Sequence, residues 1–202
     1  MTTQTTTAPT TSTTSADDPA TVTLAVRRSG SGTDGVLTID VAASDGSWAQ
    51  TITEENVDID WSKPSLLDTD GDGREELLVP LTLGPYWART AVYHATGTNR
   101  EFVRAGEFTG LGIESADDGY TVTNGKLPGY QGYSYSFWTY DDDQLVPIAT
   151  AEVHVTPDAT GTAIAGTDCV LADDGGLYRT GMTFTEAREY FCAQPAVTSA
   201  HR

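Results

Sequence analysis

Apolar and polar residues alternate along most of this chain. Val22, Leu24 and Val26 stand against Thr23 and Ala25, and Val36-Leu37-Thr38-Ile39-Asp40-Val41 repeats the same period. A period of two sends successive side chains to opposite faces, as a half-buried strand requires. The same grammar predicts strands over 50–53, 77–83, 91–94, 101–103, 113–115, 120–123, 133–140, 145–149 and 151–155. Short clusters of Gly, Asp and Ser separate these runs, including Ser44-Asp45-Gly46, Asp117-Asp118-Gly119 and Asp141-Asp142-Asp143. Such clusters supply hairpin turns. Pro80 lacks a backbone donor, so within 77–83 it marks an edge strand or a bulge. The expected fold is mainly β: an antiparallel sandwich or a small propeller-like sheet assembly with a short disulfide-tied C-terminal helix.

One segment has a helical pattern. Thr183-Phe184-Thr185-Glu186 forms a capping box, and Met182 stands at the staple position. Phe184, Ala187 and Phe191 then share one face. Cys169 and Cys192 are the only cysteines. They are expected to form a disulfide in an oxidising compartment, with two buried thiols as the alternative. A zinc site is disfavoured, because no His or second Cys lies near either one at ligand spacing. The predicted organisation is a Thr/Ser/Pro stalk over 1–19, a β-rich domain over 20–156 and a stapled helical tail over 157–202, frayed after Pro195.

Charge narrows the partners. Lys and Arg total 11 against 29 Asp and Glu, a formal net charge of −18 in 202 residues. Such a surface repels nucleic-acid phosphates and anionic lipid, and it favours cations and basic proteins. No apolar run approaches the roughly 20 residues that span a bilayer. Residues 2–18 are almost entirely Thr, Ser, Ala and Pro and hold no large apolar side chain, so they cannot bury a core. Together with the cysteine pair, they point to a secreted or cell-envelope protein. Its export signal, and any lipid anchor, is expected upstream of Met1.

The sharpest motif is Asp68-Thr69-Asp70-Gly71-Asp72-Gly73-Arg74-Glu75-Glu76. Carboxylates occupy loop positions 1, 3 and 5, a Gly position 6 and an acid position 9. Calcium takes six to eight oxygens at about 2.3–2.6 Å, and alternating carboxylates on a tight turn converge on one point. Asp68, Asp70, Asp72 and Glu76 are the candidate side-chain ligands, and Arg74 offers its carbonyl. An EF-hand is disfavoured, since its twelfth position would be Val79 and strand-like sequence follows the loop. Magnesium is disfavoured because it keeps its waters.

The loop resembles the integrin-type and FG-GAP-type hairpin loop, Asp-x-Asp-x-Asp-Gly-x-x-acid. The resemblance covers nine residues and implies a bound calcium ion. It occurs once, which excludes a full seven-bladed propeller. More widely, residues 57–150 resemble exported lysozyme-inhibitor-like proteins: a single mid-chain calcium loop, then the aromatic segment Gly129-Tyr130-Gln131-Gly132-Tyr133-Ser134-Tyr135-Ser136-Phe137-Trp138, on a β-rich body. The resemblance implies a basic envelope partner such as a lysozyme-like hydrolase, contacted through Tyr130 and Tyr133. Pro128 stands where such inhibitor loops carry Ser. Two other readings of the segment are ordinary strand packing and a glycan-contact surface, which would make the chain a glycan-binding module of the envelope.

No catalytic constellation is legible. His94, His154 and His201 are scattered, and neither a Gly-x-Ser-x-Gly elbow nor a Gly-rich phosphate loop occurs. The acidic pairs fall at predicted turns, where solvated carboxylates are expected. The chain is therefore expected not to be an enzyme.

Overall fold

A computed structural model describes residues 22–96, 101–128, 132–160 and 164–199. These residues group into two compact units. The first holds the described residues through Asp68, Asp72–Thr109 and Asp142–Gln144. The second holds Thr69–Gly71, Gly110–Asp141 and the described residues from Leu145 onward.

The first unit carries two antiparallel sheets. One has the order β1 (Val22–Ser29), β2 (Gly35–Ala43), β3 (Ala49–Val57). The other has the order β4 (Ser65–Leu67), β5 (Glu76–Leu83), β6 (Ala88–Thr96), β7 (Glu101–Gly110). Alternation in β2 is complete: Leu37, Ile39 and Val41 are fully buried, while Thr38 and Asp40 face outward. They share one core with Leu77, Val79, Leu81, Ala91 and Phe102 of the facing sheet. Each such side chain contributes about 1.5–3 kcal/mol by leaving water. The bulge foreshadowed by Pro80 is present, where the β5–β6 register shifts between Pro80 and Thr82.

Polar ties cross this core. Gln50 on β3 donates to the Phe102 carbonyl and accepts from the Phe102 N–H, both at 2.9 Å. The buried Glu54 accepts from the Tyr93 hydroxyl at 2.7 Å and from Arg104 Nε at 2.8 Å. Burial first, and then the Glu54 carboxylate, hold the Tyr93 phenol well above its ordinary range.

The second unit carries one antiparallel sheet of order β12 (Ile164–Asp173), β11 (Gln144–Pro157), β10 (Gly132–Asp141), β9 (Thr121–Lys126), β8 (Gly112–Ser115). Helices α1 (Phe184–Cys192) and α2 (Pro195–Ser199) contribute Ala187, Phe191, Ala196 and Val197 to its core, beside Val122, Tyr135 and Phe137. The Phe137 and Phe191 rings lie 4.6 Å apart. The expected capping box starts α1: Glu186 N–H donates to Thr183 Oγ1, and Thr183 N–H donates to Glu186 Oε2. Cys169 on β12 is bonded to Cys192 at the end of α1, with Cα atoms 6.0 Å apart. No helix among the described residues is long and apolar enough to cross a membrane.

Three local features differ from the sequence pattern. Residues 164–173 are a strand paired with β11, although Ala165-Gly166-Thr167-Asp168 has neither alternation nor β-branched density. The neighbouring strand supplies the hydrogen bonds that propensity does not. After Pro195 the chain forms α2, because proline suits the first helical position and Ala196 and Val197 find buried sites. Phe184 is exposed, so α1 reaches the core through Ala187 and Phe191, with the partly buried Tyr190 packed beside them.

Two expectations test this packing. A Cβ at Gly132, whose φ is +151°, would stand 1.9 Å from the Val153 carbonyl oxygen. Gly132→Ala should therefore cost about 3 kcal/mol, read as a lowered urea midpoint. Burial, followed by Tyr133 and Glu114, pushes the Tyr135 phenol up to about 12. A raised folded-state pKa gives stability that is full below the unfolded value near 10 and is lost as pH rises through the folded value. The urea midpoint should fall between about pH 10 and 12, and Tyr135→Phe should flatten that fall.

Candidate metal centre

The acidic loop joins β4 to β5, whose Leu67 and Glu76 are paired across the hairpin. It is thus a hairpin loop, as the flanking apolar residues foretold. Gly71 and Gly73 take φ of +77° and +89°, and these two left-handed positions fold the carboxylates back toward one another. Gly73 N–H donates to Asp68 Oδ2 at 3.1 Å and closes the turn.

Three of the expected ligands converge. Carboxylate oxygens of Asp68, Asp70 and Glu76 all lie within 4.8 Å of one another. Two oxygens bound to one calcium at about 2.4 Å can be no further apart than about 4.8 Å, so the spacing fits a shared ion. Glu76 is fully buried. A buried carboxylate costs several kcal/mol to ionise, and neighbouring negative charge adds to that cost. The donor set is all oxygen and carries up to three negative charges, which matches a hard divalent cation.

Asp72 is oriented differently. Its Oδ1 accepts from Arg74 N–H at 2.8 Å, and its Oδ2 accepts from Arg74 Nε at 2.9 Å and Nη2 at 2.6 Å. The Arg74 guanidinium, expected only to bring its carbonyl along, thus holds the fourth carboxylate. Asp70, Asp72 and His94 also present ligand atoms within 4.8 Å of one another, and His94 Nδ1 lies 2.8 Å from Asp143 Oδ1. Sequence spacing gave no signal for His94 or Asp143, which stand 49 positions apart.

In the second unit, the buried Thr69 hydroxyl meets the Tyr140 hydroxyl at 3.1 Å, and its carbonyl accepts from Thr121 Oγ1 at 3.0 Å. These bonds anchor the residue that precedes Asp70. Tyr133 lies in β10, paired with Lys126 and half-buried against the core of that unit. Tyr130 lies outside the described residues.

No family model matches the chain, and neither does any curated protein or any solved structure. The functional reading therefore rests on the residues themselves.

Proposed function

We propose that the chain is an extracytoplasmic, non-catalytic binding protein whose 68–76 hairpin loop takes one calcium ion as a structural pin. The observation that carries this reading is the meeting of Asp68, Asp70 and Glu76 within 4.8 Å around a fully buried glutamate. These three would supply side-chain oxygens, Arg74 its carbonyl, and Asp72 a further carboxylate on leaving Arg74. The ion would neutralise the cluster and fix where β5 begins.

The disulfide supports an oxidising location, and calcium is plentiful outside cells. The charge of −18 favours a basic protein partner. The resemblance to lysozyme-inhibitor-like proteins makes a peptidoglycan hydrolase the first partner to assay.

Thermal melting in excess chelator and then in millimolar calcium tests the ion. An ion at 100 times its Kd stabilises by about 2.7 kcal/mol, a rise of roughly 5–10 °C here. Asp70→Ala should melt below wild type in calcium and match it in chelator. Indifference of both proteins to calcium would sink the ion site. Turnover of a basic muramidase should fall when the calcium-loaded chain is added; unchanged turnover removes the hydrolase partner and leaves the ion reading standing.

A further inference from the structure

The β5–β6 hairpin differs chemically from the rest of the chain. Residues 77–95 contain no Asp or Glu, although the whole sequence has 29. At its turn stands Leu83-Gly84-Pro85-Tyr86-Trp87, with Leu83 44%, Tyr86 53% and Trp87 40% exposed. The turn is closed by Gly84 N–H donating to the Trp87 carbonyl at 2.7 Å.

Trp87 is held in a defined way. A Cβ at Gly84 would lie 2.3 Å from indole Cε2, 2.5 Å from Nε1 and 2.8 Å from Cδ2. These are adjoining atoms at the centre of the indole, so the ring lies with one face over the Gly84 backbone. Any larger residue at Gly84 would displace it. The turn backs the ring on the Gly84 side, and 40% of the residue stays accessible to solvent.

A partner for this surface must meet three conditions. It must gain from an open aromatic face, because that is what the turn fixes in place. It must not need ion pairing: the loop residues from Leu83 to Trp87 are uncharged, and Arg89 nearby is already paired with Glu107 at 3.4 Å. It must be small in footprint. Tyr86, Trp87 and Leu83 expose on the order of 250 Å² of side chain, against roughly 800 Å² per partner in a stable protein–protein interface. A polyanion is further disfavoured by the net charge of −18.

We propose that this turn is a carbohydrate-stacking platform for a neutral, β-linked hexopyranose chain. In the gluco-configured members, such as cello- and chito-oligosaccharides, the ring substituents are equatorial, which leaves a flat face of C–H groups. That face stacks on the accessible part of the Trp87 indole. Tyr86 supplies a second amphipathic ring. The site is separate from the acidic loop, and it does not depend on the calcium reading.

Titration of the full chain with chitohexaose and cellohexaose, followed by tryptophan fluorescence and calorimetry, tests it. At least one of the two should bind saturably. Trp87→Ala should weaken that binding about tenfold or more, and Tyr86→Ala should weaken it less, with both variants still unfolding cooperatively. Absence of saturable binding by wild type up to about 10 mM sugar would overturn the proposal. So would sugar binding that survives both substitutions. Trp87-dependent binding to phosphatidylcholine vesicles with no sugar binding would also overturn it, and would make the turn a membrane contact.

Discussion

Glu76 opens β5 with its carboxyl group enclosed, one residue before the run that builds the core of the first unit. Its neighbours fix the strand. Leu67 pairs with Glu76, Leu77 with Tyr93, and Val79 with Ala91. Side chains alternate along a strand, so a slip of one residue would turn Leu77, Val79 and Leu81 out of the core and bring Glu76 into it. The placement of this acid and the register of the central strand are therefore one constraint. The cost of enclosing the acid is met locally or the start of β5 loosens.

The first unit encloses a second carboxylate, and the comparison is instructive. Glu54 is met by the Tyr93 hydroxyl and the Arg104 guanidinium, so its charge is balanced by the chain's own side chains. Removing one member of such a set leaves the other groups exposed to the full desolvation cost. Glu76 has Asp68 and Asp70, two groups of its own sign, within 4.8 Å. The one guanidinium in the loop, that of Arg74, is turned onto Asp72. Glu54 is answered by an internal cation, and the oxygens around Glu76 are spaced as an added one would need. That contrast is the physical case for the proposed calcium ion.

Much of this was legible from residue order, and the reasons are local. The strands of the first unit follow strict alternation, and the Thr183–Glu186 cap is a four-residue signal that tertiary packing had no cause to override. Two lone cysteines announced their bond. The hairpin position of the acidic loop was legible because its turn glycines and flanking apolar residues lie within a short run of sequence. What was hidden depended on distant chain. β12 owes its existence to pairing with β11 rather than to its own composition. The pairing of Asp72 with Arg74 competes with ion ligation through a side chain whose backbone alone had been considered. The aromatic segment that drew attention, around Tyr133 to Trp138, is largely strand packing: Tyr135 and Phe137 are buried and Trp138 donates to Thr123. Openly presented aromatics include Tyr86 and Trp87, in a turn whose sequence carries no motif, beside Tyr178 and Phe184.

The acidic loop and that turn sit at opposite ends of β5, whose eight residues span roughly 27 Å. Charge is distributed accordingly. Acids crowd the residues before Leu77, and none occurs from there to Ala95. At that distance an exposed ion is largely screened, since the Debye length is about 8 Å at physiological salt. The turn is closed by its own backbone bond and by the indole resting on Gly84, neither of which involves the loop. A cation bound at one end of the strand would stabilise the register on which both ends depend without tuning the aromatic surface at the other. Coupling between them would travel only through the stability of β5, and it would vanish under conditions where the first unit is fully folded with or without the ion.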